Sequence, residues 1–226
     1  MKKILAVMVL VLSLFSFSAV AADLSGNIYT AGVSKYLWRG QQLSEGFAVQ
    51  PGFNLNLGNL SFGYWGSYDI EAGQYSESDY TFSFSESLPG LDIISLGAGF
   101  TVYTFPYADP AANNDTEVFG TVSADVVTSP YVKFFYDPTF GAGGYLEAGI
   151  SYSVELEAFE PYASVTGGYN FGQWGYEASA SVVLGTIGVT YTLDKFSATL
   201  SGSYQLALDA QYENDGFGTL SVDYGF

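Results

Sequence analysis

Among its 226 residues the sequence has no cysteine and no histidine. Without cysteine there is no disulfide framework and no thiol chemistry. Without histidine a Ser-His-Asp arrangement cannot be built, soft-metal sites lose their usual ligands, and proton transfer near neutral pH loses its usual carrier. Bases are nearly as scarce, with six Lys and Arg against 23 Asp and Glu and a formal net charge of −17. A nucleic-acid surface needs clustered bases to neutralise phosphates, so that partner is excluded. Charge of either sign is also thin, 13% of residues against about 25% in soluble domains. A chain with so little charge cannot cover itself with a well-hydrated surface.

Long apolar runs are missing too, except one. The opening segment "MKKILAVMVLVLSLFSFSAVAA" has two lysines, a greasy middle and the small-residue site Ala19-Val20-Ala21. It reads as a Sec-type signal peptide over residues 1–22, leaving a single domain over 23–226. No later stretch reaches the ~18 apolar residues of a spanning helix. After cleavage four bases remain.

What the chain has instead is aromatic residues, 18% of the total, laid out in strict alternation. In "GFAVQPGFNLNL", Phe47, Val49, Phe53, Leu55 and Leu57 share one face of a strand, and Gln50, Asn54 and Asn56 share the other. The same period of two recurs almost throughout. Tight links such as Gly58-Asn59, Pro89-Gly90 and Asp194-Lys195 alternate with longer polar ones. Twelve strands are expected, at 24–39, 46–57, 60–71, 79–88, 91–105, 116–127, 130–137, 144–156, 160–170, 175–193, 196–208 and 216–226. In the tenth, the apolar parity changes from Val182 and Leu184 to Ile187 and Val189, which predicts a bulge near Gly185.

An up-and-down meander with one apolar face closes either way round. The other face decides. It is rich in Ser, Thr, Gly and Asn rather than Lys and Glu, which suits a confined lumen better than bulk water. The apolar face therefore looks out toward lipid. Lipid forbids an open sheet edge, so the sheet closes into an all-β, antiparallel transmembrane β-barrel. A soluble barrel and a fibre subunit are the alternatives. The final strand "TLSVDYGF" turns Leu220, Val222, Tyr224 and Phe226 to the lipid side. It resembles the C-terminal signature that the barrel-assembly machinery reads in bacterial outer-membrane proteins.

The segment "SKYLWRG" and the later "SPYVKFFYD" resemble the TorF-family porins of proteobacteria. Ser34, Tyr36, Trp38, Arg39 and Gly40 match an early motif, and Pro130, Tyr136 and Asp137 match a strand that opens on proline and ends Tyr-Asp. Leu37 and Trp38 share the aromatic position after Tyr36, a small departure. The resemblance implies a signal peptide, an outer-membrane location and the porin class, without a defined substrate.

Alternation turns Asp69, Glu71, Asp79, Glu117, Asp125, Glu147, Glu155, Glu177 and Asp223 inward. A lysine facing lipid costs about 2–4 kcal/mol, which places Lys35, Arg39 and Lys133 inside as well, Lys133 beside Asp125. Together these charges are candidates for a selectivity feature in an acidic, cation-preferring lumen, or braces in a packed one. Trp38 and Trp174 are expected as interface anchors. The link 106–117 is expected as a solvated loop; a constriction, or a cation held by Asp109 and Asp115, is the alternative. No enzyme, cofactor or metal centre is expected, and the oligomeric state stays open. Two functions compete: passive diffusion of small hydrophilic solutes, and a non-conducting structural or adhesive barrel whose loops bind partners. A continuous water path favours the first. Bulky side chains meeting across the lumen, or an inward plug, favour the second.

Overall fold

The computed structural model describes residues 24–106 and 114–226; the signal segment and Asp109 lie outside them. Fourteen strands follow in order: β1 (Leu24–Val33), β2 (Leu37–Trp38), β3 (Gln41–Gln42), β4 (Ala48–Leu57), β5 (Leu60–Asp69), β6 (Gln74–Leu88), β7 (Leu91–Thr104), β8 (Asn114–Ala124), β9 (Tyr131–Asp137), β10 (Gly143–Ser153), β11 (Phe159–Phe171), β12 (Ser179–Leu193), β13 (Phe196–Ala207) and β14 (Asp215–Gly225). Strands β2 and β3 pair only with each other. The remaining twelve form one closed antiparallel barrel, each strand paired with its neighbours in sequence and β1 with β14. Ile28 faces Tyr224 and Val33 faces Thr219 across that seam, and Phe226 and Gly26 exchange two backbone hydrogen bonds at its end.

The barrel is turned as its alternation predicts. Phe82, Ile187, Leu200, Leu220 and Val222 are exposed on the outside. Aromatic pairs run from strand to strand along that surface: Phe53 on Tyr64 (centroids 5.7 Å apart), Phe62 on Phe82 (4.7 Å) and Phe82 on Phe100 (5.5 Å). The inner wall is a hydroxyl surface. Thr81 bonds Thr101, Thr186 bonds Ser203 and Thr190 bonds Thr199, each at 2.9 Å. Such cross-strand pairs stabilise the sheet without filling the lumen. Among the described residues no helix is long and apolar enough to cross a membrane.

Two bulges set which side chains enter the barrel. On β6, Glu77 is opposite Ser67 but Tyr75 is opposite Tyr68, so Ser76 is the extra residue. On β12, Val183 is opposite Gly167 but Ala180 is opposite Tyr169, so the bulge predicted near Gly185 sits at Ser181–Val182. Val182 and Leu184, whose parity suggested the lipid face, consequently line the interior. The largest departure is in the first segment. A strand over 24–39 was expected, yet β1 stops at Val33, and 34–47 becomes a long connection.

Candidate functional site

The 34–47 connection folds into the barrel. Its centre is the β2–β3 hairpin, with Arg39 and Gly40 in the two-residue turn at φ 50° and 86°. Both signs suit the primed turns that join twisted strands. Gly40 is needed there, since a Cβ would meet Tyr212 Cδ1 at 2.6 Å and Val182 Cγ1 at 2.9 Å. A non-glycine residue with positive φ carries strain that the surroundings must hold. What holds Arg39 is its side chain.

The Arg39 guanidinium makes a fork-on-fork pair with Glu117 of β8, Nη1 to Oε2 at 2.7 Å and Nη2 to Oε1 at 2.9 Å. Nη1 also donates to Gln173 Oε1 at 2.9 Å. Gln173 Nε2 donates to Glu117 Oε2 at 2.6 Å, and Tyr103 Oη to Glu117 Oε1 at 2.9 Å. The guanidinium carbon lies 4.4 Å from the Trp38 ring centre, 4.0 Å from Phe135 and 4.6 Å from Tyr145. Arg39 and Glu117 side chains are 6% and 1% exposed and Gln173 is 0% exposed, so the ion pair is shielded from water. Burial opposes the charge on Arg39, but the Glu117 carboxylate more than offsets it and pushes its pKa above the ordinary value. Three further ties hold the connection: Lys35 to Asp215 at 2.7 Å, Ser34 N–H to Gly218 O at 2.9 Å, and Tyr36 Oη to Glu77 Oε2 at 3.0 Å.

Aromatic rings complete the constriction. Trp38 packs edge-on against Tyr103 at 6.1 Å and Trp174 at 6.4 Å, while Trp174 also meets Phe105 at 6.1 Å and Phe140 at 5.7 Å. Trp38 and Trp174 are thus partners in an internal cluster and not belt anchors. The connection that supplies Trp174 turns through Gly172 and Trp174, both at positive φ. Next to the constriction is a cavity of about 420 Å³, whose lining includes Trp65, Asp79, Tyr103, Lys133, Glu147 and Gln205. A second space of about 780 Å³, at the barrel end that carries the long connections, is lined by Gln42–Glu45, Asp69, Glu71 and Ala72.

The charged residues singled out from the sequence divide. Arg39 and Lys35 are inside, though on the folded-in connection and not on β1. Lys133 and Glu147 are opposite each other on β9 and β10, with the Lys133 ammonium 3.9 Å above the Phe119 ring centre and Glu147 accepting from Tyr131 at 2.8 Å. Asp125 is not beside Lys133: Thr121 occupies that register, and Asp125 is exposed in the turn after β8. Asp69 is buried but caps its own turn, accepting from the backbone of Glu71 and Ala72. Glu71, Glu155 and Glu177 lie in exposed connections; Glu177 is held by Gln211 through its backbone. Asp115 is drawn into turn-building hydrogen bonds with Thr139, Phe140 and Gly141.

Sequence reasoning missed Glu77, Tyr103 and Gln173. Glu77 precedes the expected start of its strand at 79, although it shares the inward parity of Asp79 and the register is unbroken between them. Tyr103 shares a face with Thr101 and was hidden by its apolar ring. Gln173 lies in a short Gly-rich link with no periodicity to read. Among the described residues, no group of three or more Asp or Glu side chains is gathered.

No protein-family model matches the sequence, and no curated protein sequence matches it. Solved structures do match in shape. A KdgM porin in complex with disordered oligogalacturonate superposes with a TM-score of 0.61 at 11% identity, covering 89% of this chain and 99% of that one. A NanC porin gives 0.60 at 8% identity, with 87% and 98% covered. An outer-membrane channel from Pseudomonas putida F1 gives 0.52 at 10% identity, with 92% and 97% covered. At these identities the likeness is one of fold, the closed antiparallel barrel that these outer-membrane proteins share.

Proposed function

We propose that this chain is a bacterial outer-membrane channel that passes small hydrophilic solutes passively, through a lumen narrowed by its 34–47 connection and selective for cations. The observation that carries the reading is the pairing of an apolar outer belt with a hydroxyl-lined interior that still holds a 420 Å³ space beside the constriction. Narrow constrictions with charged lining set selectivity in channels. Here the Arg39–Glu117 pair is neutral as a unit, leaving Glu77, Asp79, Glu147 and Asp223 against Lys133. In this reading the short turns face the periplasm, the long connections face the exterior, and the C-terminal strand is what the assembly machinery engages. Likeness in shape to porins, and the TorF-like motifs at Arg39 and Asp137, support the same class.

The second reading, a non-conducting barrel, is favoured by one observation: the solvent-excluded Arg39 cluster. A planar-bilayer recording on purified, refolded protein separates them. Discrete conductance with a reversal potential on the cation side is expected. A silent bilayer containing demonstrably inserted protein would reject conduction in favour of the second reading.

A further inference from the structure

Five side-chain polar atoms are buried without a hydrogen-bond partner among the described residues, and three of them belong to one patch: Gln50 Nε2, Ser67 Oγ and Asp79 Oδ1. The patch is built by register. Gln50 of β4, Ser67 of β5 and Glu77 of β6 stand side by side on the inner face, Ser67 directly opposite Glu77 and Trp65 opposite Asp79. Gln50 is 7% exposed and Ser67 0%. Glu77 and Asp79 are two residues apart on the inner face of β6, and among the described residues neither makes an ion pair. Buried charges are ordinarily paired or bound to a cation, and each orphaned polar atom in a native interior calls for an unseen water or ion.

We propose that Glu77, Asp79, Ser67 and the Gln50 amide form an oxygen-only site for a hard divalent cation of the Ca²⁺ type. The two carboxylates supply up to four oxygens, and the Ser67 hydroxyl and the Gln50 carbonyl supply two more. That reaches the lower bound of the six to eight oxygens Ca²⁺ takes, with water free to complete the shell. Turning the Gln50 amide by half a rotation presents its oxygen, since the two amide ends are assigned by their partners and here the nitrogen has none. Two charges of −1 match one of +2, which removes the repulsion between adjacent carboxylates. Tyr36 donates to Glu77 and packs on Trp65 at 5.2 Å, so an occupied site would also brace the connection that narrows the lumen. With only two carboxylates the affinity belongs to the weak range, Kd on the order of 10⁻⁴–10⁻³ M. The inference stands whether or not the barrel conducts.

Trp65 provides the test. Protein refolded in detergent without lipopolysaccharide is titrated with Tb³⁺ under tryptophan excitation. Sensitised emission is expected, displaced by Ca²⁺ and lost in Trp65→Phe. Binding is expected to weaken by roughly tenfold or more in Glu77→Gln/Asp79→Asn, the usual scale for losing ligands or their supports. Asp125→Asn, a surface control, should not change it. If the double variant fails to fold, Ser67→Ala carries the test, with weaker Tb³⁺ binding expected. No emission from the wild type, or undiminished binding in the variant tested, overturns the proposal, and the carboxyls then share a proton with water at the orphaned atoms.

Discussion

Arg39→Ala is the substitution on which the constriction depends most directly. Removing one member of a buried, hydrogen-bonded ion pair costs about 3–5 kcal/mol, because the other charge is left uncompensated. Glu117, 1% exposed, would keep only Tyr103 and Gln173 as donors. That cost disappears once the 34–47 connection swings out and water reaches Glu117, so nearly all of it biases the connection outward. At about 1.4 kcal/mol per tenfold, the ratio of withdrawn to seated connection rises by roughly two to four decades. Lys35–Asp215 is no substitute anchor, since a partly exposed single pair contributes about 0–1 kcal/mol. In planar bilayers Arg39→Ala should show larger or more frequent conductance steps than the wild type, with the barrel still resistant to unfolding in detergent. Removing both charges, as in Arg39→Met/Glu117→Gln, should restore much of the closed population, because no orphaned charge remains. Unchanged conductance in a folded Arg39→Ala barrel would refute the view that this pair seats the constriction.

Three other outcomes follow from named positions. Ile187, 71% exposed on the outer face, should tolerate arginine poorly: Ile187→Arg is expected to lower stability in bilayers by about 2–4 kcal/mol, and Ser201→Lys on the inner face far less, read by urea unfolding in liposomes. Phe226→Ala should reduce the amount of folded barrel recovered from outer membranes, judged by heat-modifiable gel mobility, while refolding from urea in detergent changes little; equal yields would remove Phe226 from assembly. Lys133→Gln takes away a positive charge beside Glu147 and should move the reversal potential further toward cations, and a shift toward anions would contradict an acidic lumen.

The architecture was readable because period-two alternation is enforced by the pleat at every residue, and one slip would reverse every side chain. Phe53, Phe82 and Leu200 could be placed outside on that basis alone. The constriction was not readable for the same reason. Alternation carries on through "SKYLWRG", where Tyr36 and Trp38 keep strand parity, yet the chain leaves the wall at Val33, and its side chains are held instead by Glu77 and Glu117 across the lumen. Arg39 was sent inward along with Lys35, whose exposure to lipid would be costly, and it lies inside on the folded-in connection instead of on β1. Its partner could not be found, since Glu117 is 78 residues away and only register brings the two together. The bulge at Ser181–Val182 hid the inward Val182 by switching parity where the sequence shows no glycine, and Glu77 was missed because the expected strand began two residues after it.

The tie between Lys35 and Asp215 joins the segment after β1 to the start of β14, the two strands that meet last in chain order. Ser34 does the same on Gly218, and Arg39 reaches β8 and the Gln173 turn. The narrowing element is therefore also a clasp laid across the joint of the cylinder. Its Ser34 and Lys35 ties exist only where β14 lies beside β1, so a closed seam and a seated connection support each other.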